Sequence, residues 1–205
     1  MAKVHLAALL AACATSVAAQ APSSAVPVAA FVDSAAERQA LKKLSTCLAK
    51  ARPRWAQQTL AHPYLSNAQA SSAAEALNGR DNCITGPEAE LTLRTSGMIG
   101  SLAEYYVSAR IRGSDFGRVA KALSTLDPLN ASEDFALCVA SRNPVAARDL
   151  ALSEPGSAAE AEASRKVAAH VAPCTAPGEQ LTVDLQALRA LVAVALYRGV
   201  TTLGS

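Results

Sequence analysis

Aromatic residues are scarce in this sequence. Phe, Trp and Tyr together make up 4 % of its 205 residues, with a single Trp. Strands draw heavily on aromatic and β-branched side chains, so this scarcity points away from sheets. Charge of one sign is missing too. A formal net charge of +2 is too close to neutral for a dedicated nucleic-acid binder. The motifs that announce catalysis are absent as well: no HExxH, no GxSxG, no glycine-rich phosphate loop and no EF-hand spacing. No CxxC pair occurs, so neither a redox motif nor the usual zinc spacing is present. With Ala supplying nearly a quarter of the chain and apolar residues 51 %, the composition is that of a folded, helical protein and not of a disordered one.

The amino terminus reads as an export signal over residues 1–19. Lys3 gives the positive start, an uncharged apolar stretch follows, and Val17-Ala18-Ala19 fits the small-residue cleavage rule. Leu10-Ala11-Ala12-Cys13 allows a second reading, a bacterial lipoprotein anchored through Cys13. Either way the expected location is the periplasm or the exterior, with no transmembrane segment in the mature chain. Residues 20–32, with Pro22 and Pro27, read as a flexible leader. The excess of Arg over Lys suits a GC-rich bacterial source.

After cleavage four cysteines remain, in a regular arrangement. Cys47 and Cys83 are 36 positions apart, and so are Cys138 and Cys174; the first pair maps onto the second by a step of 91 (138 − 47). The same step carries Pro53 to Pro144, Ser66 to Ser157, Glu88 to Glu179 and Tyr106 to Tyr197. This order of cysteine, helix breaker, cap and second cysteine implies an internal duplication. The expected architecture is all-α: two similar four-helix units, disulfide-stapled, over residues 33–112 and 130–200. Residues 113–129 form a linker with a short helix, and 201–205 a tail.

Each unit parses alike. Ser34-Ala-Ala-Glu37 is a capping box, in which the Ser oxygen takes a free helix N–H and the Glu reaches back. Pro53 restarts a helix, His62-Pro63 stops it, Ser66-Asn-Ala-Gln69 caps a third, and Thr85 caps a long fourth running to Arg112. Asn130, Pro144 and Ser157 repeat the punctuation before a last helix over residues 181–200. Duplication favours the pairings Cys47–Cys83 and Cys138–Cys174, one bond per unit. The two long helices should pack together. Gly97 and Gly100 lie inside the first of them and suggest a close helix crossing there. An ion pair between Arg94 and Asp184 would fit that packing.

Function is not written in any motif. His62 and His170 sit where helices end, without a local nucleophile, so no catalytic residue, metal site or cofactor is assigned. One asymmetry between the units stands out. The first carries Arg52, Arg54, Trp55, His62 and Tyr64, where the second has Asn143, Val145, Ala146, Ser153 and Pro155. Arg, Trp and Tyr anchor binding surfaces, which makes these five a candidate binding set. The expectation is an exported, non-catalytic interaction or scaffold protein whose partner is another protein or an envelope component. The alternatives are a carrier of a small apolar ligand held between the halves, and a hydrolase of unrecognised type.

Overall fold

In the computed structural model the described residues are 34–77, 83, 95–111, 116–176, 181 and 183–203. The export signal, the leader, the Asn78-Gly79 pair at which the sequence ends the third helix, the Thr85 cap and Arg94 lie outside them. Every regular element among the described residues is helical. In chain order these are α1 (Ala35–Ala51), α2 (Pro53–Ala61), α3 (Asn67–Leu77), α4 (Thr95–Arg110), α5 (Phe116–Leu123), α6 (Ala131–Arg142), α7 (Pro144–Leu152), α8 (Ala158–Ala168) and α9 (Leu185–Thr202), with a single 3-10 turn at Ala172–Cys174.

Local chemistry sets the boundaries. The Ser34 hydroxyl accepts from the Glu37 N–H at 3.1 Å, and the Glu37 carboxylate accepts from the Ser34 N–H at 3.0 Å, a complete capping box. Asn130 and Ser157 cap α6 and α8 in the same way, each accepting from the backbone N–H of a Glu three residues on. Proline stands at the first turn of both α2 and α7, where no amide donor is needed. The last helix starts at Leu185 and not at Leu181, because Asp184 is its cap and accepts from the Ala187 N–H at 2.7 Å. The linker helix is longer than the sequence pattern suggests, since Phe116 joins Val119 and Leu123 in the core.

The core is centred on the α4–α9 pair, the most extensive helix contact among the described residues. α1 packs on α4, while α5, α6 and α7 pack on α9. Gly100 explains the approach: a Cβ at that position would lie 2.4 Å from both Cα and Cβ of Ala190. No larger residue lets the two backbones come so near. Met98, Ile99, Leu102 and Val107 from α4 and Leu188, Val192, Ala193 and Leu196 from α9 are all buried in the same core. Two disulfides close the periphery, Cys47–Cys83 and Cys138–Cys174, with Cα separations of 5.7 and 5.9 Å.

Several positions recur at the step of 91. α2 and α7 are nine residues each and α3 and α8 eleven, with each pair 91 apart. The residues before the caps of α3 and α8 are Leu65 at φ 60° and Gly156 at φ 83°, the only positive-φ residues among those described. Gln39 donates its side-chain amide to the Pro155 carbonyl at 3.1 Å, and Asn130 donates its own to the Tyr64 carbonyl at 2.8 Å. These two bonds exchange under the step. The rings of Tyr106 and Tyr197 meet each other at 6.0 Å. The halves also differ: α1 has 17 residues and α6 only 12, and α5 has no partner of its kind among the described residues.

Candidate functional site

Trp55 is the side chain from which the site is built. It sits on the inner face of α2, 8 % exposed, and donates its indole N–H to the Ser72 carbonyl of α3 at 3.0 Å. The corresponding position on α7 is Ala146, and α7 lies more closely on α8 than α2 does on α3. A large flat ring between two helices holds them apart, whereas alanines let them close. The result on the first pair is a groove of about 640 Å³, lined by Arg52, Trp55, Gln58, Ala61, His62, Ser71, Ser72 and Glu75.

The groove is chemically mixed. The Arg52 guanidinium lies over the Trp55 ring, 5.3 Å from its centroid, an arrangement that fixes a long cation against an aromatic face. Glu75 approaches Arg52 at 3.8 Å from the opposite wall. His62 is half-buried at the end of α2, where its carbonyl accepts from the Gln69 side chain at 3.4 Å. Ser72 is occupied: its hydroxyl and that of Thr59 are 2.6 Å apart. No hydrogen bond among the described residues joins the His62 imidazole to Ser71 or Ser72.

Of the five binding candidates, Arg52, Trp55 and His62 line this groove. Arg54 is exposed and is not part of its lining. Tyr64 lies elsewhere, in the turn before α3. It is 3 % exposed, its backbone N–H goes to the Glu133 carboxylate at 3.1 Å and its carbonyl takes the Asn130 amide. Burial, reinforced by the charge of Asp184, pushes its phenol well above the ordinary range. His170 follows α8 and is half-buried. Among the described residues no group of three or more His, Cys, Asp or Glu is placed to hold a metal ion.

A second polar constellation lies inside the core, where the sequence pattern suggested only apolar packing beside the glycines. Arg38 of α1, Glu104 of α4, Glu160 of α8 and Arg189 of α9 are each 7 % exposed or less. Arg38 binds Glu160 through Nε at 3.1 Å and Nη2 at 2.7 Å. Arg189 grips Glu104 with two bonds of 3.0 and 2.9 Å, and reaches Glu160 and the Ser153 hydroxyl at 2.9 Å each. Glu160 also accepts from the Gly156 N–H at 2.6 Å. Two cations and two anions thus cancel. Burial pushes the Glu104 carboxyl up, in spite of Arg189. Burial acts the same way on Glu160, but the bonds from Arg38 and Gly156 and the charge of Arg189 outweigh it and hold that carboxyl below its usual range. The space beside this lattice, lined by Gly97, Ser101, Gln186 and Ala190 as well as the charged groups, is about 10 Å³, room for one water at most.

The signal for the lattice was the register of its charges. Arg38 stands three residues before Leu41 on the apolar stripe of α1, Arg189 interrupts the apolar run of α9, and Glu160 stands three residues after the Ser157 cap of α8. Glu104 shares a face with Gly97, Gly100 and Val107. Charges in phase with a buried stripe require partners across it.

No protein-family model matches the chain, and no curated protein and no solved structure shows significant similarity to it.

Proposed function

We propose that this chain is an exported, non-catalytic interaction protein made from two copies of one helical unit, the first of which has been opened by Trp55 into a groove for a segment of another protein or envelope component. The observation that carries this reading is the contrast between the two helix pairs: a groove of about 640 Å³ between α2 and α3, and close packing between α7 and α8. Its walls offer an aromatic face, a stacked guanidinium, an imidazole, a carboxylate and hydroxyls. That is the mixed, partly rigid surface on which binding energy concentrates.

The two-copy origin draws support from the shared step of 91, the paired left-handed residues Leu65 and Gly156, and the reciprocal bonds Gln39 to Pro155 and Asn130 to Tyr64. In a two-fold arrangement, if one residue of a copy meets a second residue of the other, the reverse contact also exists. The Tyr106–Tyr197 contact maps onto itself, as a contact on the axis must. Export draws support from the signal-like residues 1–19 and from two disulfides, which persist in oxidising compartments. Among the described residues no helix is long and apolar enough to cross a membrane. The apolar-carrier reading needs room between α4 and α9; Gly100 brings the backbones together there, and the adjoining space is about 10 Å³ and bordered by charge.

A photo-crosslinking residue placed at Gln58, on the groove, tests the proposal in the source cell. Asp149 is the control, being exposed at the corresponding place on α7. A discrete adduct is expected from position 58 only, lost when Arg52→Ala is added. Absence of any adduct, or equal adducts from both positions, overturns the reading.

A further inference from the structure

The charge lattice occupies only one of two equivalent places. Under the step of 91, Arg38 corresponds to Leu129, Glu160 to Gln69, Arg189 to Met98 and Glu104 to Ala195. At those four positions the second place is therefore uncharged: Gln69 takes the Leu65 N–H and gives its amide to the Thr59 carbonyl, while the nearby Glu133 carboxylate is met by the backbone N–H groups of Leu129 and Tyr64 and by Arg198 at 3.6 Å. The lattice is also divided between the halves. Arg38 and Glu104 come from the first, Glu160 and Arg189 from the second, and the four hydrogen bonds of the Arg38–Glu160 and Glu104–Arg189 pairs all cross the boundary.

An arrangement of two similar halves carries a hazard. The face with which each half binds the other is, by descent, a face that binds its own kind. Two chains meeting during folding could join first half to first half. In such a pairing Arg38 would face Gln69 and Glu104 would face Met98, so two buried charges would lose their bidentate partners at each of two sites. Second half to second half would leave Glu160 opposite Leu129 and Arg189 opposite Ala195. A buried charge stripped of its partner is among the costlier defects a core can contain.

From this asymmetry we infer that the Arg38–Glu160–Arg189–Glu104 lattice is a pairing code, which makes the interface between the halves accept the opposite half and reject a like half of a second chain. The inference rests on the two-copy reading above. The four uncharged positions have no charge to strand in a like pairing; the charged place discriminates.

The test uses the full chain with a protease site inserted between Arg112 and Asp115, cleaved in the folded state with both disulfides intact. The cleaved protein is unfolded in denaturant, refolded together, and its assemblies are weighed by native mass spectrometry. The wild-type lattice should give only unlike pairs. A variant carrying the residues of the four uncharged positions (Arg38→Leu, Glu104→Ala, Glu160→Gln, Arg189→Met) should give like pairs alongside unlike ones. If that variant does not refold, the double variant Arg38→Leu/Glu160→Gln, which removes one cross-boundary link and both its ends, is read in its place. Like pairs in the wild type overturn the pairing code and leave the two-copy reading standing. Unlike pairs alone in wild type and variant overturn the code and, with it, the self-complementarity that two copies imply.

Discussion

Glu160 shows how much one side chain can hold. It closes the cap of α8, takes the Gly156 N–H and joins two arginines. Its folded-state pKa lies below the ordinary value near 4.5, so its contribution to stability is complete above that value and is lost as the pH falls through the lowered one. Glu104 has the opposite sign: with its carboxyl pushed up by burial, its share is complete below 4.5 and is lost as the pH rises through the raised value. Glu160→Gln should therefore cost about 3–5 kcal/mol at pH 7, because it leaves Arg38 and Arg189 short of charge. The deficit should begin to shrink below pH 4.5 and continue to shrink as the pH falls through the lowered value, where the folded wild type itself loses the carboxylate; urea unfolding at pH 7 and at stepwise lower pH measures both. Leu65 makes the converse case. It is a non-glycine residue at φ 60° with its side chain 53 % exposed, so it bears backbone strain without the return of burial. Leu65→Gly should be neutral or stabilising by up to about 1 kcal/mol, the relief of strain exceeding the added freedom of the unfolded chain; a loss of more than that in thermal unfolding would give Leu65 a packing role. Neither residue's situation was legible in the sequence in full. The cap containing Glu160 could be read, but its two arginine partners lie 122 and 29 positions away, and no local pattern encodes such distances.

At the scale of elements the sequence was more informative. Caps, prolines and helical spacing located most of the helices because each is a local device, decided within a turn or two. The glycines in α4 announced a close crossing, and Gly100 against Ala190 is that crossing. Gly100→Ala should destabilise the fold by about 1–3 kcal/mol, although alanine is favoured over glycine within a helix by roughly 1 kcal/mol. The same substitution at Gly117, where a Cβ would meet nothing within 4 Å, should instead stabilise. Comparing the two melting temperatures separates helix crossing from helix propensity. The α2–α3 pair was legible only as an asymmetry in composition. That Trp55 is a wedge could not be read, since its effect depends on a second helix it touches. Trp55→Ala should cost about 3–5 kcal/mol and let α2 settle on α3. Spin labels at Gln58 and Glu75 should then report a shorter separation. An unchanged distance, with stability lost, would leave a cavity in place of a collapsed groove.

For the whole molecule, the question is whether the halves unfold together. Each disulfide closes a loop spanning 36 positions, so the chain-entropy contribution of each should be about 3–4 kcal/mol, and the two should be equal. Equal contributions would suit two independent modules, each with its own staple. The packing argues otherwise. The largest interface, α4 against α9, joins the two halves, and so do the lattice and the reciprocal turn contacts. Neither half has a closed core without the other, because the apolar faces of α4 and α9 cover each other. Removing either staple should therefore lower the midpoint of one cooperative transition and not release one half ahead of the other. Double Ser replacement at Cys47 and Cys83, and separately at Cys138 and Cys174, puts this to the test by urea unfolding followed by Trp55 fluorescence and by circular dichroism. Trp55 reports on the first half alone, circular dichroism on both. Coincident curves in both variants are expected; if the Trp55 signal changes before the helical signal when only Cys47 and Cys83 are replaced, the α4–α9 interface does not couple the halves.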